Sequence, residues 1–153
     1  MEWVYDRTQA DVERVKVLND KYAAGTISEE EKMEWAAGMK GALNVADLNR
    51  IESNIREIAE TLAVSVTVKT WGANQIPRVS DFKRICDNVQ RIREAWSALK
   101  DTPATPDPPL TTYQKWNAIE RILHDVKYVY DRVMGSYYYC GDEIYAGEGI
   151  GIL

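Results

Sequence analysis

Apolar residues recur at steps of three and four along most of this 153-residue chain, and that spacing commits it to a fold of packed helices. The cleanest stretch sets Leu48, Ile51, Ile55, Ile58 and Leu62 in one stripe, opened by Asn44 or Val45, as a helix buried along one face requires. Upstream, Val12, Val15, Leu18 and Tyr22 form a second stripe over 8–24, with Thr8 as N-cap and Gly25 as stop. Downstream, Phe82, Ile85, Val89, Ile92, Trp96 and Leu99 follow a cap at Ser80. Trp116, Ile119, Leu123, Val126, Tyr130 and Val133 then line a helix over 112–134 that Gly135 ends. Between the first two stripes, Ser28 and Glu31 make a capping box for a short helix through Met33 and Trp35, which closes at Gly38 and Gly41.

Two segments break this period. Val64, Val66 and Val68 alternate with Ser65, Thr67 and Lys69, a β pattern over 64–69, and a loop over 71–77 follows. Residues 101–109 hold four prolines within seven positions, which removes backbone donors and forces extended geometry, so they read as a semi-rigid surface connector. The expected fold is mainly α: a bundle of four long helices plus one short helix, antiparallel or irregular, with minor β at 64–69 and in a C-terminal hairpin. The helical domain spans 1–135, with the connector inside it. A Tyr/Gly-rich tail, 136–153, carries four tyrosines, four glycines and no basic residue. Its aromatic β-formers flank Gly141 and Asp142, pairing 137–140 with 143–146. A two-stranded hairpin is marginal alone, so it must pack on its own helices or on another chain.

The helices also echo one another. Residues 45–62 align with 79–96 at an offset of 34, with seven of 18 positions identical, and 116–120 matches 48–52 at three positions a further 34 along. A tetratricopeptide unit has the same length, but it needs two helices per period, and here the intervals hold the β-like run and the proline connector. Duplication and shared helix grammar, an early Asp on the positive helix end with an Arg three residues on, both remain open.

Chemistry is sparsely equipped. The chain is 45% hydrophobic and 28% charged, with a net charge of −5 and a pI near 5.0, which argues against nucleic acid as a main partner. No apolar run approaches the ~20 residues of a membrane span, and the first residues lack a secretory layout. The single histidine, His124, could act as a general base oriented by Glu120, but a boundary histidine beside acidic neighbours is the favoured reading. Cys86 and Cys140 make no metal spacing and read as reduced thiols. No Ser stands in a Gly-x-Ser-x-Gly elbow. Asp142, Glu143 and Glu148 read as solvated turn carboxylates, and no helix follows the glycines at 147–151 to bind phosphate. The expectation is no catalytic residue, no metal and no cofactor: not an enzyme. The residues left for contacts are Tyr137, Tyr138, Tyr139 and Tyr145, with Trp3 and Trp71, since aromatics with a polar tip suit interfaces.

Several runs resemble uncharacterised bacteriophage and prophage proteins found among tail-associated and other virion components. They are Asp6-Arg-Thr-Gln-Ala-Asp-Val12, Gly41-Ala-Leu-Asn44, Asp47-Leu-Asn-Arg-Ile-Glu52, Tyr113-Gln-Lys-Trp-Asn-Ala-Ile-Glu120 and Tyr139-Cys-Gly-Asp-Glu-Ile-Tyr-Ala-Gly-Glu148. The resemblance implies a structural protein that works by self-association and by contacts with other virion proteins, made in the cytoplasm and carried in the particle. The alternative is a carbohydrate-binding module that uses the Tyr-rich tail to recognise a host surface.

Overall fold

The structure, a computed structural model, describes residues 1–137, and of Tyr137 the backbone alone. It contains α1 (Gln9–Ala23), α2 (Glu29–Ala36), α3 (Val45–Thr61), α4 (Val79–Ala95) and α5 (Tyr113–Tyr137). Capping fixes where the first three start. Thr8, Ser28 and Asn44 each accept from the N–H of the acidic residue three positions on, and Asp11, Glu31 and Asp47 each return a bond to the cap N–H. Each acid thereby sits at the positive end of its helix.

Three ends differ from expectation. α4 stops at Ala95, so Trp96 and Leu99 fall outside the helix, and Leu99 is 37% exposed. α4 starts before Ser80, because the Asp81 carboxylate reaches back to the N–H of Arg78 at 2.9 Å and satisfies that end without a hydroxyl cap. α5 runs through Gly135 to Tyr137. Gly25 and Gly38 take positive φ (67° and 90°) where α1 and α2 end, whereas Gly135 does not, and a glycine without that turn only weakens a helix.

α3, α4 and α5 begin 34 residues apart, at Val45, Val79 and Tyr113, so the echo coincides with a structural repeat of one helix and one extended return. The three helices run parallel. Phe82 meets Trp116 near the starts of α4 and α5, and Trp96 meets Tyr130 near their far ends. Arg84 pairs with Glu52 between α4 and α3, and Arg50 with Glu120 between α3 and α5. Their shared core is aliphatic, with Ile51, Ile55, Ile85, Val89, Ile92, Ile119, Ile122 and Leu123 wholly buried, each worth about 1.5–3 kcal/mol in transfer free energy.

Parallel helices oblige the chain to travel back the full length of the bundle between them, and each return lies in a groove. Residues 64–71 run down the α3–α4 groove. Residues 102–110 run down the α4–α5 groove, where Thr102 Oγ1 donates to Asp125 at 2.7 Å and Trp116 Nε1 donates to Leu110 O at 2.9 Å. The expected β at 64–69 is absent, and no strand occurs among the described residues. The alternation is real, since Val64, Val66 and Val68 pack on the core while Ser65 and Thr67 face solvent. The neighbours on either side are helices, however, so no strand is there to complete a ladder. The expected C-terminal hairpin lies outside the described residues except at Tyr137, which is helical.

The bundle therefore has three members rather than four. α1 pairs with α2 in a separate hairpin around the buried Leu18, tied by Arg14 to Glu34 at 2.7 Å, Lys21 to Glu31, and Trp35 Nε1 to Asn19 at 2.9 Å. Among the described residues, the side-chain hydrogen bonds of α1 and α2 stay within that hairpin and its caps.

Candidate functional site

The third groove, between α5 and α3, has no return to fill it; the N-terminal arm, residues 2–7, does so. Asn54 Nδ2 donates to Glu2 O at 2.9 Å, and the N–H of Val4 donates to Glu120 Oε2 at 2.8 Å. Asn117 holds Arg7 from both sides, accepting from its N–H at 3.2 Å and donating to its C=O at 2.8 Å. An asparagine amide offers one acceptor and donors on adjacent atoms, as a peptide does, so it replaces the neighbouring strand that a helix cannot supply.

The α3–α4 groove uses the same device at the echoed positions. Asn88 brackets Thr67, accepting from its N–H at 3.3 Å and donating to its C=O at 2.7 Å. Glu52 accepts from the N–H of Lys69 at 3.3 Å, and Asn49 brackets Trp71 at 2.8 and 3.0 Å. Asn54 corresponds to Asn88 at the offset of 34, while Asn49 and Glu52 correspond to Asn117 and Glu120 at twice that offset.

The centre of the arm groove is ionic. Glu120, with no exposed surface, accepts from Arg7 Nη2 at 3.0 Å and Arg50 Nη2 at 2.8 Å, and Asp47 takes Arg50 at 2.8 Å and Arg7 at 3.4 Å. Two guanidinium groups thus face two carboxylates, and Arg7 also bonds the C=O of Val4. Burial opposes the charge on Arg50, but its bonds to Glu120 and Asp47 prevail and hold its pKa above the ordinary arginine value. Glu52 is used as fully, by Arg84 at 2.5 and 2.9 Å and by Trp71 Nε1 at 3.2 Å. Groups committed to structural bonds on every side are poorly placed to exchange protons with a substrate.

His124 serves the arm as well. Its ring meets Trp3 edge-on at 5.7 Å and Tyr5 at 5.1 Å and stacks on Tyr128 at 6.0 Å, and Nδ1 lies 2.8 Å from Asp125 Oδ1. It is Asp125, and not Glu120, that orients the imidazole. Burial pushes the Asp125 pKa up, but the bonds from Thr102, His124 and Arg121 outweigh it and leave the carboxyl below its usual range.

Trp3 is half-buried in the arm, packed on the core. Trp71 is a contact between elements within the chain, 3% exposed under the cation of Lys69. Tyr137 is the last helical residue described, and Tyr138, Tyr139 and Tyr145 lie outside the described residues. Cys86 is buried with its thiol free, and burial raises its pKa to about 11. Among the described residues, no three His, Cys, Asp or Glu side chains gather as a metal site, and no helix is long and apolar enough to cross a membrane.

The hairpin leaves apolar side chains open, as does the entry to α4, where Ile76 is 86% and Val79 65% exposed. Met33 is 69% exposed, Tyr22 56%, Val17 45% and Trp35 42%, and the rings of Tyr22 and Trp35 stack at 5.2 Å. At its base a cleft of about 470 Å³ opens towards the start of α5, with Val12, Lys16, Leu43, Tyr113 and Trp116 in its walls. No protein-family model matches the chain, and comparison with curated proteins and with solved structures gives no match.

Proposed function

We propose that this chain is a non-enzymatic structural protein that works by protein–protein assembly, self-associating and joining other components of a phage or prophage virion at the tail. The observation that carries the assembly reading is the exposed, stacked Tyr22–Trp35 pair of the α1–α2 hairpin, with Val17 and Met33 also open to water. Exposed apolar patches on a protein with an adequate core mark contact surfaces. The use of Glu52, Glu120 and His124 as structural fasteners agrees with it. The virion part rests on the likeness of residues 6–12, 41–44, 47–52, 113–120 and 139–148 to phage and prophage proteins.

Light scattering and sedimentation of the full chain, alone and with purified phage tail proteins, test the reading. A concentration-dependent oligomer, or a defined complex with a tail protein, is expected. A chain that stays monomeric at high concentration and binds none of those proteins refutes it.

A further inference from the structure

We infer that residues 1–37, the arm with the α1–α2 hairpin, form an exchangeable unit, and that two copies associate by each seating its arm in the α3–α5 groove of the other. This rests on the self-association proposed above and gives it a structural route.

The groove recognises features that any copy of the arm brings. Asn54, Glu120 and Asn117 bind arm backbone, and Asp47 with Glu120 binds the Arg7 guanidinium. The occupants of the other two grooves run directly from one bundle helix into the next. The arm instead reaches α3 only through the hairpin and the loop 38–43. Because the hairpin keeps its side-chain bonds to itself and its caps, it can leave with the arm as one body, and the loop is then the hinge. Six extended residues span at most about 20 Å, enough to lead into a neighbouring molecule.

The hinge is closed by two contacts, the ion pair of Lys40 in the loop with Asp6 of the arm at 2.6 Å and a close approach at Gly41. At Gly41 a Cβ would lie 2.2 Å from Asp11 O and 2.6 Å from the N of Val12, so the loop rests on the first turn of α1 with no room for a side chain. The exchanged pair keeps every arm–groove contact. The balance against the monomer is therefore set by the hinge and by new contacts between the two molecules, and the exchanged unit carries Tyr22, Met33 and Trp35 into the region between them. Closure within one chain prevails when dilute, and exchange gains as concentration rises.

The full chain and its Gly41→Ala variant are compared by size exclusion with light scattering, with circular dichroism to confirm folding. Gly41→Ala blocks the closed hinge and leaves arm and groove intact, so its dimer fraction is expected to exceed that of the unmodified chain. Adding Arg7→Ala, or Val4→Pro as a second arm lesion, is expected to return it to monomer. A folded Gly41→Ala chain with no more dimer than the unmodified one overturns the inference, as does a dimer indifferent to both arm lesions. Should Gly41→Ala fail to fold, the unmodified chain refolded at high concentration is tested with the same lesions, and a dimer that is absent or indifferent to them overturns it equally. An oligomer indifferent to the arm leaves the assembly reading standing, whereas a monomer that binds no tail protein removes both.

Discussion

Glu120→Gln is the sharpest test of how the arm is held. The substitution keeps the shape of the side chain but removes one negative charge from a buried set of two arginines and two acids. Arg7 and Arg50 are left to share Asp47, and the new amide NH₂ faces guanidinium groups or the N–H of Val4, all of them donors. Breaking a buried ionic set by removing one partner costs about 3–5 kcal/mol, a large part of the 5–15 kcal/mol typical of whole domains. Urea unfolding followed by tryptophan fluorescence measures it. With a slope of about 2 kcal/mol per molar, the midpoint should fall by roughly 2 M and the slope should not change. Adding Arg7→Met should recover part of the loss, because Arg50 and Asp47 can then pair alone, with a coupling of about 0.5–3 kcal/mol. A loss under about 1 kcal/mol, or strict additivity of the two substitutions, would refute the reasoning.

Three further outcomes follow from other contacts. Asn88→Ala should cost about 1–3 kcal/mol, since both bonds to Thr67 go while Arg84 still holds its carbonyl, and hydrogen exchange should show the Thr67 amide opening first. A carboxylate with a depressed folded pKa adds stability at pH above its unfolded value, about 3.9 for Asp, and loses it as the pH falls through the folded value. Asp125→Asn should therefore be less stable than the unmodified chain at pH 6, and the gap should close below about pH 4, as thermal melts across pH would read. In a Cys140→Ser background, labelling of Cys86 by a thiol reagent should track global unfolding, because the thiol is buried and its pKa is about 11.

Local features were legible in the sequence. Thr8, Ser28 with Glu31, and Asn44 mark helix starts through backbone chemistry that spans only three residues, and the aliphatic stripes of α3, α4 and α5 report faces that are in fact buried. The stripe of α1 misled, because it packs mainly on an eight-residue helix and only Leu18 is fully covered. Asn49, Glu52, Asn88 and Asn117 were missed, and Glu120 was read only as a neighbour of His124, since polar residues on a helix read as solvated unless their partners are known. Their partners lie 17 to 116 residues away, in segments whose composition suggests loops. The echo held the signal: Asn54 and Asn88 at one period, Asn49 with Asn117 and Glu52 with Glu120 at two.

The arm's seat in the third groove has a consequence for synthesis. Val4 and Arg7 leave the ribosome well before Glu120, their main anchor, which follows 116 and 113 residues later. At about 5–20 residues per second the gap is roughly 6–23 s. Through that interval Trp3 and Tyr5 have no groove of their own to enter, and on a crowded polysome the nearest finished groove belongs to the chain ahead.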